Sequence, residues 1–544
     1  MRTLRTFKKI FKRENRHGHE IDPDEVLAES ANLIQADKER LEGRLILPIE
    51  RSSYLIFGVF LTILLLVAIG RLLNLQVVDG ADFAKRSVTN SLQKTVVFAN
   101  RGIIFDGEGT LLAGNEPPKE NTSRNGQEVA WSTRKYADYK GLSNLIGYIA
   151  YPKIDNKGNF YTTDVIGKDG VEEYFDDILA GRNGTLIREK DATGSIVSES
   201  TVKKPRDGTN ITLSINVRVQ DELYKELKQL ASERGFAGGA GVIMDLNNGE
   251  ILALASYPEY DSQTMTDGRD EKAILAFLKS GDKPFLDRVA QGLYIPGSII
   301  KPYLAVGALQ ERIVDPLKLF LASGSISVPN PYDSKHPTVF KDWKVHGLVD
   351  MRKALAVSSN VYFFTIGGGY EGQRGLGIGN IEKYMKMFGF GSKTGIEIDN
   401  EEAGNVPSPK WKAETFNDPT WRLGDTYNSA IGQYGFLVTP VQAVRAVAAI
   451  GNGGFLVTPT IIKRGQENSA LKNILAQKGQ DLKDDNKETL PIAQENLQIV
   501  REGMRKGVLE GTAIGLNIAE VAVAAKTGTA ELGVSKESVN SWTT

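Results

Sequence analysis

From Tyr54 to Ile69 the chain carries no charged side chain, and after Gly70-Arg71 it continues as Leu-Leu-Asn-Leu-Gln-Val-Val. A stretch of this kind is satisfied by a helix in lipid, where every backbone N–H and C=O finds its partner within the segment. The run is at the short end for a span, but Arg71 can reach the interface along its own methylenes. A cleaved signal peptide fits less well, because the run begins after residue 50 and no small-x-small cleavage site clearly follows. The nearest flanking charges, Arg44 and Arg51 against Lys85 and Arg86, do not decide orientation. The basic tail (Arg2, Arg5, Lys8, Lys9, Lys12, Arg13, Arg16) does, and puts the N-terminus inside. That tail reads as a solvated segment able to touch anionic lipid, and residues 24–42 as an amphipathic helix without chemistry. Almost everything beyond the span then lies outside the cytoplasm.

Composition narrows the chemistry. The 544 residues suggest three or four domain-sized units, and a formal net charge of −1 gives no reason to expect nucleic acid. With no cysteine, disulfides, thiolate metal sites and a cysteine nucleophile are excluded. The four histidines are His17, His19, His336 and His346, two of them in the tail, so a histidine-based triad or a zinc site has few candidates.

Residues 77–212 read as short strands and turns, among them a strand at Lys94–Phe98 and a turn at Asp106-Gly-Glu-Gly109. Residues 115–130 read as an exposed loop, Gly167–Leu179 as a turn and short helix, and Gly181–Ser198 as a hairpin. Composition shifts near Gly208. Val219, Leu223, Leu227 and Leu230 predict a helix from about Asn216 to Glu233, and Gly241–Ala255 predicts a hairpin turning at Asn248-Gly249. Helices follow at Ser298–Leu309, Met351–Ala356 and Pro440–Ile450, and residues 464–490 read as a polar surface insertion. Val521 to Ala530 reads as a strand whose small residues let a ligand approach the backbone. From residue 213 onward these elements predict an α/β or α+β unit, a mainly antiparallel sheet flanked by helices.

The candidate chemistry starts at Tyr294-Ile-Pro-Gly-Ser298-Ile-Ile-Lys301-Pro-Tyr303. On a helix Ser298 and Lys301 share a face, at an N-terminus that favours developing negative charge. A serine beside a neutral lysine is one form of activated nucleophile. The Ser-x-x-Lys pattern alone is weak, since it also begins at Ser91, Ser132, Ser200, Ser280 and Ser469. Ser-x-Asn begins at Ser30, Ser123, Ser214, Ser358 and Ser538, and Lys-Thr-Gly at Lys393 and Lys526. The combination of the three has a known chemistry, and order and setting leave Ser298, Ser358 and Lys526. Lys393 follows the Gly-rich Met387-Phe-Gly-Phe-Gly391 and reads as structural.

With these motifs the chain resembles a class B penicillin-binding protein, a membrane-anchored DD-transpeptidase. Further segments carry the likeness from the span to the C-terminus: Arg101-Gly-Ile-Ile-Phe-Asp106, Gly167-Lys-Asp-Gly-Val-Glu172, Gly208-Thr-Asn-Ile-Thr-Leu-Ser214, Tyr257-Pro-Glu-Tyr-Asp261, Ser358-Ser-Asn-Val-Tyr-Phe-Phe364, Ala430-Ile-Gly-Gln433, Thr439-Pro-Val-Gln442 and Ala525-Lys-Thr-Gly-Thr-Ala-Glu531. Tyr303, Tyr362-Phe-Phe364 and Trp421…Gly424-Asp-Thr-Tyr-Asn428 are most similar to the elongation type, penicillin-binding protein 2, with the division type as alternative. The resemblance implies a cytoplasmic tail at 1–53, a transmembrane helix at 54–76, a β-rich pedestal at 77–212 and the transpeptidase domain at 213–544 in the bacterial inner membrane. It implies Ser298 as nucleophile, Lys301 as base, Ser358 as proton relay, Asn360 as substrate or lysine holder, and Lys526 as carboxylate charge. Thr527, Gly528 and Thr529 would bind substrate, and the amides of Ser298 and Thr529 would form the oxyanion hole. Substrates would be peptidoglycan stem peptides ending in D-Ala-D-Ala, which β-lactams mimic. Partners would be a SEDS-family glycosyltransferase and elongation-machinery membrane proteins. No metal or cofactor is required.

Departures from the family pattern are a short 107–166 segment, implying a reduced head on the pedestal, Ala525 for Gly, and Gln433-Tyr434-Gly435 for Gln-Gly. The chain also stops at Thr544, where the family continues with a strand and a terminal helix, so it reads as C-terminally truncated, with a strand beginning at Ser541-Trp542-Thr543. Competing functions are a DD-carboxypeptidase or β-lactamase using water, or a mainly non-enzymatic activator of a partner glycosyltransferase. His346 reads as structural, with the rim of the site as alternative, Trp343 and Tyr362 as core or pocket wall, and Asp333 and Lys335 as solvated.

Overall fold

The computed structural model describes residues 51–117, 123–124, 127–128, 131–155, 160–191, 195–330, 333, 335–466, 469–479, 487–533 and 538–544. The basic tail and the amphipathic helix expected at 24–42 lie outside the described residues. The chain divides into two units, residues 1–90 and 91–544.

In the first unit the apolar run forms a helix over Arg51–Leu73, prolonged by a π-helical turn at Asn74–Val78. The 28 residues Arg51–Val78 form a helix long and apolar enough to cross a membrane, with none of its apolar window buried in protein. At 1.5 Å per residue it is about 42 Å long, enough for the hydrocarbon layer and both interfaces.

The second unit has two hydrophobic cores. One gathers Ile104, Leu112, Phe175 and Leu179 with Leu213, Ile251, Leu254, Val289 and Ile461, so apolar packing runs continuously across residue 213. Its strands pair in the order Ile211–Thr212, Ile104–Phe105, Leu111–Glu116, Thr133–Tyr136, the first pair parallel and the rest antiparallel. A second antiparallel sheet joins Leu92–Val97, Gly184–Lys190 and Ile196–Lys203. The two segments Arg101–Asp106 and Gly167–Glu172 meet here in a buried ion cluster. Glu172, with no side-chain exposure, accepts from Arg101 Nε at 2.5 Å and from Arg134 Nε at 2.7 Å. Arg101 also pairs with Asp176 at 2.7 Å.

Within 464–490 one described segment packs into the protein rather than standing free on its surface. Ser469–Gln477 is a helix whose Leu471 and Leu475 enter this core, and Lys478 Nζ lies 3.6 Å from the Tyr174 ring centroid. The polar composition hid two leucines four apart on one helical face, each worth about 1.5–3 kcal/mol of burial.

The other core surrounds the Lys301–Gln310 helix, in which Lys301 through Leu309 are all buried. A helix covered on every side forms the centre of its domain. Helices Met351–Ala356, Asn360–Gly368, Ile378–Met387 and Gln494–Glu510 pack around it. The helix expected from Asn216 spans Val217–Arg234, with Asn216 Oδ1 capping the amides of Arg218 and Val219. The expected hairpin pairs Gly239–Met244 with Ile251–Tyr257. The strand expected from Val521 begins only at Thr527; Thr527–Leu532 pairs antiparallel with Ser538–Thr543. Ladder pairing with this partner defines the strand, and Lys526 and Thr544 exchange amide–carbonyl bonds of 2.8 and 3.0 Å at its start.

Glu172→Gln removes a carboxylate that keeps two buried guanidinium groups apart. We expect it to cost about 3 kcal/mol or more, measured as a lowered thermal midpoint by circular dichroism. A midpoint within about 1 °C of wild type would contradict the account.

Candidate active site

The turn that carries Ser298 is built by close backbone contacts. Tyr294 and Val438 exchange two hydrogen bonds of 2.9 Å, and Gly297 N donates to Gly432 O at 3.0 Å. Gly297 has φ +56, and a Cβ there would sit 2.7 Å from Thr529 O. Gly528 is equally confined, since its Cβ would meet Pro296 O and Ile299 Cγ2 at 2.8 Å. The Thr527–Leu532 strand therefore lies directly against the turn that carries Ser298. That brings the backbones of Ser298 and Thr529 to one junction.

The helix does not start at Ser298. Gly297–Ile300 is a 3-10 turn, and the α-helix runs Lys301–Gln310 with Pro302 in its first turn, where a missing N–H costs nothing. Ser298 is half-buried and Lys301 fully buried.

Lys301 Nζ donates to Asn360 Oδ1 at 2.7 Å and to Ser358 O at 2.8 Å, with Ser358 Oγ at 3.4 Å. It also lies 5.4 Å from the Phe363 ring centroid. Lys526 Nζ donates to Ser358 Oγ at 2.8 Å and to Thr527 O at 2.7 Å. Two buried amines thus converge on one hydroxyl. Burial pushes the Lys301 amine from 10.5 down to about 7, opposed by the negative charge of Asp342. Lys526 is held well below the usual lysine range by burial and by the nearby Lys301 charge. Among the described residues no hydrogen bond joins the Ser298 hydroxyl to Lys301 Nζ; the amine faces Ser358 and Asn360 instead.

Ser358 has φ +58, in the left-handed region that L residues rarely adopt. It is the middle of the three residues between the Met351–Ala356 and Asn360–Gly368 helices, held by the bonds Ser358 N to Leu355 O (3.3 Å) and Ser359 N to Ala354 O (3.0 Å). Strain of this kind costs on the order of 1–3 kcal/mol and persists where surrounding structure fixes it.

The structure brings Ser358, Asn360, Lys301, Lys526 and Thr527 together by hydrogen bonds and sets Gly528 and Thr529 against Gly297. Thr527 Oγ1 also lies 2.6 Å from Thr512 Oγ1. The other Lys-Thr-Gly, at Lys393, makes different contacts: Thr394 N and Oγ1 donate to buried Glu401 at 2.7 and 2.6 Å. Its neighbours Phe388 and Phe390 pack on Tyr303. Tyr362 is core, as its spacing suggests, whereas Trp343 is 58% exposed. Trp343 meets the protein through its edge against His346, whose ring is buried instead. Asp333 bonds His336 Nδ1 at 2.8 Å on the surface. Two residues that sequence spacing missed are Asp342, fully buried, and Ser359, whose hydroxyl caps the Asn360 helix. Nothing in the spacing ties Asp342 to a motif that starts sixteen residues later.

Residues 239–544 match the family model of the penicillin binding protein transpeptidase domain, and residues 127–213 that of the penicillin-binding protein dimerisation domain. The peptidoglycan D,D-transpeptidase MrdA of Acinetobacter baumannii is 31% identical over 409 residues, covering 74% of this chain and 57% of that protein. The MrdA of Escherichia coli is 29% identical over 464 residues, covering 71% and 70%. Penicillin-binding protein PBP2 of Helicobacter pylori, solved in complex with MreC, superposes with TM-score 0.62 at 26% identity, over 81% of this chain and 90% of that one. PBP2 of Pseudomonas aeruginosa gives 0.60 at 28%, over 80% and 86%.

Lys301 has a folded-state value near 7, below its ordinary 10.5, so between these values the unfolded chain binds the extra proton. Wild-type stability relative to Lys301→Met should therefore climb as pH rises from about 7 towards 10 and be lowest below 7. Paired thermal melts at several pH values measure this, and a difference independent of pH would contradict the assignment.

Proposed function

Since the chain belongs to the penicillin-binding protein transpeptidase family, we propose that it is an elongation-type peptidoglycan D,D-transpeptidase with Ser298 as its acylated residue. Support comes above all from the convergence of Lys301 and Lys526 on Ser358 beside the Ser298 turn. A base that must be neutral near pH 7 is buried, and a strand lies where an extended substrate can pair.

In this reading the Ser298 hydroxyl gives its proton to neutral Lys301 as Oγ attacks the carbonyl of the penultimate D-Ala. The amides of Ser298 and Thr529 hold the oxyanion. The carbonyl re-forms, the C–N bond breaks, and the proton returns through Ser358 to the departing D-Ala amine. The product is an ester on Ser298. An acceptor amine from a second stem peptide attacks that ester, Lys301 takes its proton, and Ser298 leaves as the restored alcohol. Lys526, with Thr527 and Thr529, faces the terminal carboxylate. Asn360 holds the Lys301 amine through Oδ1. A β-lactam follows the same first step, but its leaving nitrogen stays tethered and blocks the acceptor.

The Arg51–Val78 helix supports a membrane anchor with the N-terminus inside and the catalytic unit outside. The solved complex of a PBP2 with MreC supports an MreC-type partner; in this reading the chain acts in cell elongation beside a SEDS-family glycosyltransferase.

Fluorescent penicillin should label the wild-type chain covalently, and Ser298→Ala should abolish labelling. Incubation with stem pentapeptide and an amine acceptor should release D-Ala and give a crosslinked product. Labelling that persists in Ser298→Ala overturns the nucleophile, and D-Ala release without crosslink assigns water as acceptor.

A further inference from the structure

Asp342 follows the Thr338–Lys341 strand, and its side chain is fully buried. Its Oδ2 accepts from Ser359 Oγ at 2.7 Å and from Val361 N at 2.9 Å. Oδ1 accepts from Trp343 N at 2.9 Å. The carboxylate thus sits at the N-terminus of the nine-residue Asn360–Gly368 helix, where the dipole favours an anion. Ser359 is the middle residue of Ser358-Ser359-Asn360, whose outer two members hold Lys301 Nζ. One side chain therefore grips the residue between the two that grip the amine.

Resting on the acyl-transfer reading above, we propose that Asp342 is a positioning residue of this site: it clamps Ser359 and the first turn of the Asn360 helix, fixing Ser358 and Asn360 on Lys301, and brings its negative charge into the shell of residues that holds that amine. Other charges bear on the same amine. Lys526, from the Thr527 strand, is itself held low by burial and by the Lys301 charge. His346 Nε2, buried and without a hydrogen bond among the described residues, lies 3.6 Å from Asp342 Oδ1. Burial pushes that imidazole below its ordinary value, with Lys344 and Lys301 acting in the same direction and Asp342 against them. Burial drives Lys301 down and Asp342 limits the fall, so the amine titrates within reach of neutral pH.

Clamp and charge separate by mutation. Asp342→Asn keeps a carbonyl acceptor for Ser359 and Val361 but loses the charge. Ser359→Ala loses one clamp bond and keeps the charge. The full chain in detergent is mixed with fluorescent penicillin, and single-turnover acylation is followed over roughly pH 6 to 9. Asp342→Asn should move the midpoint of the profile to lower pH by roughly one unit. Ser359→Ala should leave the midpoint in place and lower the plateau rate about tenfold, equivalent to about 1.4 kcal/mol of transition-state positioning. Asp342→Ser, which also removes the charge, carries the same midpoint expectation as Asp342→Asn if the latter folds poorly. The Lys301 titration is read in parallel by NMR of 13Cε-labelled lysine, which needs no acylation. A wild-type chain that fails to label counts against the acyl-transfer reading alone. An unmoved Lys301 titration in the charge-removing variants, or an equal shift in Ser359→Ala, overturns the role of Asp342.

Discussion

Everything at this site depends on keeping the Lys301 amine out of water while still bonded. An ammonium with no exposure would be prohibitively costly alone, and here it has the Asn360 amide oxygen, the Ser358 carbonyl and an aromatic face. Burial, opposed by the Asp342 charge, brings this lysine down to about 7. The surrounding domain is organised to keep that burial. The Lys301–Gln310 helix is enclosed by helices, and the aromatic rings of Phe388 and Phe390 pack on Tyr303, two residues beyond Lys301.

Two left-handed backbone positions, only the second of them strained, fix the remaining geometry. Gly297 at φ +56 admits Thr529 O close to the turn that carries Ser298, and Ser358 at φ +58 turns its hydroxyl between two amines. Neither conformation stabilises the fold by itself. Both are held by neighbours: the Tyr294–Val438 bridge on one side, and the Asp342–Ser359 clamp on the other. Distant charge pairs serve a different purpose. The Arg101–Glu172–Arg134 cluster ties residues 101–106 to 167–172 in the core beneath, and touches none of the reacting groups.

The cluster around Lys301, Ser358 and Lys526 was legible in the sequence because its motifs are local and ordered. Each places a chemical group at a structural junction: Ser298 at a turn, Ser358 between helices, Lys526 at a strand start. Periodicity found the Val217–Arg234 helix and its Asn216 cap for the same reason. What spacing could not reveal were long-range pairings. Asp342 acts through a loop with no periodic signal, and the Ser469–Gln477 helix is polar on average although Leu471 and Leu475 are buried. The strand near Lys526 was read six residues too long, because Val521-Ala-Val-Ala-Ala has strand-like composition but no ladder partner there. Trp343, bulky and apolar, was read as wall and is exposed, while His346 took the buried position.

The central claim is that burial makes Lys301 a base at neutral pH. It is tested most directly by the pH dependence of the single-turnover rate at which wild-type chain is acylated by penicillin. The account predicts a rate that rises with pH, with a midpoint near the value of about 7 set for Lys301. A rate that stays flat through this range, or that rises only in the ordinary lysine range near 10.5, would contradict it.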